Sequence, residues 1–220
     1  MDASRLEDLQ AVGQLVWRRA HQARLLAVGP SSVVQALATQ WPSAAAAPAA
    51  PLAAAEGPVF VLAGSLSPVT ARQVRAATSY EPMPIDVAAL VQGGEEATHA
   101  LSARLAATLR AGRSVLALTA GSAAQGASPH QVAEAGGRLL AGVLAQVPLR
   151  RIGIAGGDTS SLAVQALAAW GLSYRASLAP GVALCRLHSD KAALDGLEIM
   201  LKGWQMGPED LFERLLHGGA

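Results

Sequence analysis

Three stretches of this 220-residue chain have strand length and an apolar interior, at residues 58–63, 114–119 and 151–155, and the first of them is a continuous apolar run. Each run is followed by a turn that contains glycine or serine and then by an apolar helical pattern. An uninterrupted apolar run is typical of a strand that is covered on both faces, as in a parallel sheet with helices on either side. The sequence therefore predicts an α/β fold with a doubly wound, mostly parallel, Rossmann-like sheet flanked by helices.

The period of the apolar residues predicts the other elements. Leucines and valines at three- and four-residue steps indicate a helix over residues 4–23, and an apolar run at 24–28 indicates a short buried strand. Residues 43–58 are rich in alanine and interrupted by proline, which favours a surface connection. Further helices are predicted up to residue 41 and over 68–78, 95–111, 129–146, 159–170 and 208–217. Strands are predicted over 83–86, 174–178, 182–187 and 197–202, the last three as a mixed or antiparallel C-terminal extension.

Composition limits the class of partner and the compartment. Seventeen Lys and Arg against sixteen Asp and Glu leave a net charge of +1, which provides no general attraction to nucleic acid or to an anionic membrane. An anionic ligand must therefore be bound locally. A single cysteine, Cys185, and a charged start to the chain favour a cytoplasmic protein. Glycine and prolines break the uncharged stretch at 25–55, so no membrane span is predicted, and residues 1–220 are expected to form one domain.

The turn at residues 156–161 (GGDTSS) is the most informative segment, because it joins a buried strand to a helix start. Gly156 and Gly157 let backbone N–H groups approach an anion, Thr159 adds a hydroxyl, and the helix start adds its positive end. Asp158 is a candidate to orient a metal ion or water, or to act as a base. The alternative is an ordinary capped turn, since Asp, Thr and Ser are favoured helix caps.

Two other strand ends carry candidate ligand-binding residues. Ser65 lies in a Gly/Ser turn before a helix that starts at Pro68, and the ends of parallel strands are where ligands collect in such sheets. Lys202 ends an apolar run before Gly203, and either reaches a phosphate as a point charge or is a solvated lysine. Trp204 stacks on a base or covers apolar surface. The turn at 121–126 is more typical of a flexible connection.

Four ordered segments carry a family resemblance: AGSLSPVTARQ at 63–73, AGGDTSS at 155–161, APGVALC at 179–185 and KGWQMGPEDLF at 202–212. From about residue 24 to its end the chain resembles the carboxy-terminal, nucleotide-binding domain of the four-carbon acid sugar kinases. The resemblance implies a nucleotide-binding domain over residues 1–220 without the amino-terminal substrate domain of the family. It also implies ATP and Mg²⁺ as cofactors.

The resemblance further implies transfer of phosphate from ATP to the terminal hydroxyl of a sugar acid such as threonate, erythronate or a 3-oxo-tetronate. The substrate domain would act in cis or in trans, and the isolated chain would be inactive. By motif, the implied nucleotide-binding residues are Ser65, Gly156, Gly157, Asp158, Thr159, Gly203 and Gly207, with Asp158 as the catalytic candidate. Trp204 stands where relatives have the middle glycine of a Lys-x-Gly-x-x-Gly pattern, which predicts an altered loop.

Two other functions fit the same sequence. One is a non-catalytic module that binds a nucleotide or sugar phosphate and acts with a separate partner, which the missing substrate domain and Trp204 favour. The other is an α/β scaffold that works through protein contacts, as a homo-oligomer formed through its alanine-rich stretch. The scaffold leaves the Gly/Ser turns unexplained.

Overall fold

The computed structural model describes residues 5–29, 31–41, 51–64, 67–119, 127–203 and 205–219. The chain divides into two compact units, residues 1–49 and residues 50–220. Whether the first unit belongs to the nucleotide-binding domain, as the sequence-based boundaries of 1–220 imply, stays a prediction.

The described residues of the first unit form the helices α1 (Leu6–Gln22) and α2 (Ser32–Ala38), which pack against each other. A Cβ atom on Gly13 would lie 2.0 Å from the carbonyl oxygen of Ala36, so only glycine allows this approach. The predicted strand at 24–28 is wrong. Leu26 and Val28 are each 86% exposed, and within the described part of this unit the segment pairs with no other strand. An apolar run becomes a strand only where a neighbour satisfies its backbone hydrogen bonds.

The second unit is built around a seven-stranded sheet in the order β2-β3-β1-β4-β7-β6-β5. Its strands are β1 (Phe60–Ala63), β2 (Tyr80–Pro84), β3 (Ser114–Leu118), β4 (Arg151–Ala155), β5 (Gly171–Ala179), β6 (Val182–His188) and β7 (Glu198–Lys202). Its helices are α3 (Pro68–Ala76), α4 (Val87–Gln92), α5 (Gly94–Arg110), α6 (Pro129–Leu144), α7 (Gly157–Ala166) and α8 (Leu211–His217). The predicted fold class is confirmed.

Strand register aligns the carboxyl ends of β1, β4 and β7 with one another. Strands β2, β3, β1, β4 and β7 are parallel, with Ala63 of β1 beside Ala155 of β4, and Ala155 beside Lys202 of β7. Strands β5 and β6 add antiparallel pairs, which confirms the predicted extension. The segments that follow β1, β4 and β7 therefore start next to one another.

The helices cover both faces of the sheet. On one face Leu105 of α5, Leu139 of α6 and Ala163 of α7 belong to one buried core, and on the other Leu211 and Phe212 of α8 belong to a second. Helix α3 lies on the face of α8, against which it packs. The connections from the adjacent strands β1 and β4 thus leave on opposite faces. This reversal opens the crevice in which doubly wound sheets bind ligands.

Within the described residues, no helix is long and apolar enough to cross a membrane.

Candidate functional site

Backbone hydrogen bonds connect the three strand ends at the crevice. The N–H of Gly64, after β1, donates to the carbonyl oxygen of Ala155 at 2.8 Å. The N–H of Gly156, after β4, donates to the carbonyl oxygen of Lys202 at 2.9 Å. Residues from three separate parts of the chain are therefore fixed relative to one another before any side chain is considered.

Gly156 and Gly64 are required for the close approach of these turns. Gly156 is the N-cap of α7 and has φ +136° and ψ 133°, a conformation that is essentially restricted to glycine. A Cβ on Gly64 would lie 2.4 Å from Oγ1 of Thr159, and one on Gly156 would lie 3.0 Å from the same atom. The buried Thr159 side chain thus packs against both glycines.

The start of α7 has the features of an anion site. Gly157 and Asp158 are exposed, and a Cβ on Gly157 would meet nothing within 4 Å, so the backbone is open to a ligand. The first N–H groups of a helix have no acceptor within the helix. The hydroxyl oxygen of Ser160 is buried and has no hydrogen-bond partner among the described residues. These groups fit the phosphates of a nucleotide.

The ordinary capped turn lacks a side-chain cap here, whereas the function of the turn as an anion site stays a prediction. Helix α7 begins at Gly157, two residues before the predicted start at about residue 159, which places Asp158 and Thr159 inside its first turn. Among the residues that the structure describes, no side chain caps this helix. Asp158 is therefore available to a metal ion or water. Among the described residues, no cluster of three or more His, Cys, Asp or Glu side chains is arranged to hold a metal ion.

Lys202 is a buried residue, and the interpretation as a solvated lysine is wrong. Its side chain is 1% exposed, and its Nζ donates to Oγ1 of Thr70 at 2.7 Å. Thr70 lies in the first turn of α3, where its hydroxyl is 2.9 Å from that of Ser67, the residue that caps the helix. Burial lowers the pKa of Lys202 to about 8.

Gln73 anchors the loop that follows β7. Its Nε2 lies 3.0, 3.0 and 2.9 Å from the carbonyl oxygens of Met206, Gly207 and Pro208, which share its two N–H groups. Gly207 has φ +85°, a backbone conformation that favours glycine, and it packs against Gln73. Gly203 does not have a positive φ. The loop is therefore held by a buried amide from α3.

Exchange of Gln73 for glutamate is expected to destabilise the second unit. The substitution keeps the shape of the side chain but replaces the donating NH2 group with a carboxylate oxygen that faces three carbonyl oxygens. We expect Gln73→Glu to lower the free energy of unfolding by about 2–4 kcal/mol in urea denaturation. The control is Gln165→Glu, because Gln165 is exposed on α7 and should change stability by less than about 0.5 kcal/mol. Equal stability of the two variants would contradict the role of Gln73.

The structure brings some of the predicted site residues together and leaves others undescribed. One turn contains Gly156, Gly157, Asp158 and Thr159. Gly203 lies close to this turn, because it directly follows Lys202, whose carbonyl oxygen accepts the N–H of Gly156. Ser65, Trp204 and the turn at 121–126 lie outside the described residues. Sequence reasoning missed Gly64, Thr70 and Gln73 as individual residues, although all three stand within the segment 63–73.

In this domain the connections after β1 and β4 leave the parallel sheet on opposite faces, and a glycine-rich helix start follows β4. This arrangement is typical of α/β domains that bind nucleotides. Residues 60–212 match the family described as the nucleotide-binding C-terminal domain. The chain belongs to this family, the C-terminal domain of the four-carbon acid sugar kinases.

A curated relative agrees with this assignment. The chain is 31% identical over 236 residues to the 3-oxo-isoapionate kinase of Paraburkholderia graminis, an alignment that covers 96% of this chain and 50% of that protein. It thus spans about half the length of this relative.

Solved structures share the fold. A proposed tRNA synthase from Salmonella typhimurium LT2 is 25% identical, has a TM-score of 0.71, and aligns over 97% of this chain and 50% of its own. A Haemophilus influenzae protein is 22% identical with a TM-score of 0.65, over 96% and 51% of the two chains. A Bordetella bronchiseptica domain of unknown function, solved with citrate as a domain-swapped dimer, is 22% identical with a TM-score of 0.61, over 74% and 39%.

Proposed function

We propose that this chain is the ATP-binding half of a cytoplasmic kinase that phosphorylates four-carbon sugar acids. The observation that carries the proposal is the open start of α7, which lies at the crevice between β1 and β4. Its backbone is accessible at Gly157, and the Ser160 hydroxyl is buried without a partner among the described residues. The family match and the kinase relative support the same conclusion.

The residues of the crevice divide into phosphate-binding and acid groups. The first-turn N–H groups of α7 and the hydroxyls of Thr159 and Ser160 would bind phosphate oxygens. Bound Mg-ATP supplies the transferable phosphoryl group and the metal that neutralises its charge. Asp158 is exposed beside these groups, where its carboxylate can orient a magnesium-bound water or accept the proton of the attacking hydroxyl. Gly203 would extend the same site from the turn after β7, and Ser65 stays a prediction from its sequence motif.

The acceptor would come from a second domain. The relative, a kinase named for 3-oxo-isoapionate, is twice as long as the segment that this chain matches. We propose a threonate, erythronate or 3-oxo-tetronate type of acceptor, bound by an amino-terminal substrate domain in cis or in trans. Its terminal hydroxyl oxygen forms a bond to the γ-phosphorus as the bond to ADP breaks. The isolated chain should therefore bind ATP without turnover.

Calorimetric titration with ATP, with and without Mg²⁺, tests the site. We expect Thr159→Val to weaken ATP binding at least tenfold, because the substitution removes the hydroxyl but keeps the packing against Gly64 and Gly156. Asp158→Asn should reduce the effect of Mg²⁺ on affinity. Thr78→Val is the control, because Thr78 is exposed and lies before β2, at the opposite edge of the sheet. Unchanged ATP affinity in both site variants would contradict the proposal.

A non-catalytic module that binds a nucleotide or sugar phosphate is the second candidate. Its support is the tryptophan at position 204, where the family motif has a glycine. A phosphoryl-transfer assay with a separately supplied substrate domain distinguishes the two. Turnover that depends on Asp158 favours the kinase, and ATP binding without turnover favours the module. Size-exclusion chromatography with light scattering tests the predicted homo-oligomer in the same samples.

A further inference from the structure

Three polar side chains lie in a row at the end of β5 and β6 that is remote from the crevice. Oγ of Ser173 on β5 lies 2.8 Å from Nε2 of His188, the last residue of β6. On the other side of the imidazole, Nδ1 of His188 lies 3.8 Å from Oδ1 of Asp195. These three residues, named here the Ser173 cluster, place a hydroxyl, an imidazole and a carboxylate in the order that activates a serine nucleophile.

Neighbouring groups hold the imidazole and the carboxylate in place. The indole ring of Trp170 stacks on the ring of His188, with centroids 5.3 Å apart and an angle of 30° between the planes. The N–H of Ser189 donates to Oδ1 of Asp195 at 3.3 Å. A carboxylate beside Nδ1 favours the imidazole tautomer that has its proton on Nδ1. Nε2 then has a free lone pair, which can accept the proton of the Ser173 hydroxyl.

A second serine–histidine pair in the chain differs in the position of its carboxylate. Oγ of Ser79 lies 2.9 Å from Nε2 of His217, and Oε2 of Glu213 lies 3.2 Å from the same nitrogen. This carboxylate favours a proton on Nε2, so that nitrogen is a poor acceptor for the Ser79 proton. In the Ser173 cluster the hydroxyl and the carboxylate face opposite nitrogens. Only that arrangement lets the imidazole act as a base toward the serine.

The Ser173 cluster is open to solvent and separate from the crevice. Ser173 and Asp195 are exposed. Strand β6 begins at Val182, which pairs with Lys202 at the crevice, and His188 lies about 20 Å further along the strand. Strand β5 is the outermost strand of the sheet on this side. Because N–H groups alternate in direction along a strand, some near the cluster point away from β6 and can donate to a reacting carbonyl oxygen.

We propose that the Ser173 cluster is a second catalytic site, which hydrolyses small carboxylic esters. Oγ of Ser173 forms a bond to the ester carbonyl carbon, while Nε2 of His188 takes the hydroxyl proton and returns it to the departing alcohol. Water then gives a proton to Nε2 and its oxygen bonds to the acyl carbon. The proton returns to Oγ as the carboxylic acid leaves. Trp170, 68% exposed, offers its indole to an aromatic group of the ester, and Asp195 is a positioning residue that acts through His188.

Phenylmethanesulfonyl fluoride, which sulfonylates activated serines with loss of fluoride, tests the nucleophile in the full chain. Peptide mass spectrometry should find the adduct on Ser173, formed faster than on Ser79 by about tenfold or more. Ser173→Ala should slow the release of phenol from phenyl acetate by about tenfold or more, whereas the matched Ser79→Ala should not change it. Both serines are exposed, so both variants should fold. Equal labelling of the two serines, or equal phenol release by Ser173→Ala and the parent chain, would overturn the proposal.

Asp195→Asn tests the positioning role with a spectroscopic readout. Asparagine keeps an acceptor for the Ser189 N–H but removes the charge beside Nδ1. In mildly alkaline solution, nuclear magnetic resonance of the ¹⁵N-histidine-labelled parent chain should show His188 with its proton on Nδ1, and His188→Gln assigns the signal. Asp195→Asn should lose this preference and release phenol more slowly at an unchanged thermal midpoint. A proton on Nε2 of His188 in the parent chain would contradict the proposed base.

Discussion

Gly156→Ala is expected to abolish measurable ATP binding and to lower the free energy of unfolding by about 1–3 kcal/mol. The backbone at Gly156 has φ +136° and ψ 133°, which an alanine cannot adopt without strain. The added Cβ would also lie 3.0 Å from Oγ1 and 3.3 Å from Cβ of Thr159. The substitution thus displaces the first turn of α7, which carries the proposed phosphate contacts. Calorimetric titration and urea denaturation of the same sample measure both effects.

Gly157→Ala is the matched control for the Gly156 variant. A Cβ on Gly157 meets nothing within 4 Å and the residue does not have a positive φ, so the fold should tolerate alanine. If phosphate approaches the backbone at this point, the variant keeps its stability but binds ATP more weakly. Equal ATP affinity for the parent chain and both variants would show that the nucleotide binds elsewhere.

Arg151→Met is expected to lower the free energy of unfolding by about 3–5 kcal/mol. Arg151 begins β4 with its side chain 5% exposed, and its guanidinium donates to Glu198 at 2.6 Å and to the carbonyl oxygens of Ala53 and Leu215 at 3.0 Å each. One side chain therefore ties β7, the segment before β1 and the end of α8 to the sheet. Methionine fills much of the space but leaves those acceptors without a donor.

Arg175 provides a control that shares the same partner. It reaches Glu198 at 3.7 Å, but its side chain is 64% exposed, so Arg175→Met should cost less than about 1 kcal/mol. Urea denaturation followed by far-ultraviolet circular dichroism compares the two variants. Similar losses for both would mean that burial does not determine the contribution of Arg151.

The sheet could be predicted from the sequence because its central strands are buried on both faces. Such strands leave uninterrupted apolar runs, and β1, β3 and β4 match them within a few residues. The same rule failed at residues 24–28, where Leu26 and Val28 are apolar but exposed. Apolar character predicts that a segment tends to be buried, whereas a strand also needs a hydrogen-bonded neighbour. Helix α4 was missed because it is short and Gly93 and Gly94 separate it from α5.

The candidate site could be predicted only where it is local in sequence. The turn from Gly156 to Thr159 is one segment, and its composition alone indicates an anion site. The contact between Gly64 and Thr159 joins residues far apart in the chain and appears only when β1 and β4 are adjacent. The burial of Lys202 depends on α3 packing over the end of β7. Sequence gave no signal for that packing, so a solvated lysine remained an equally good interpretation.

Nuclear magnetic resonance of the chain labelled with ¹⁵N-glycine tests the location of the nucleotide most directly. The chain has 22 glycines, of which Gly64, Gly156 and Gly157 mark the crevice. Gly57 and Gly112 line a separate cleft of about 530 Å³ at the opposite edge and serve as internal controls. ATP should shift the three crevice amides and leave Gly57 and Gly112 unchanged. Shifts confined to the opposite edge would contradict nucleotide binding at the start of α7.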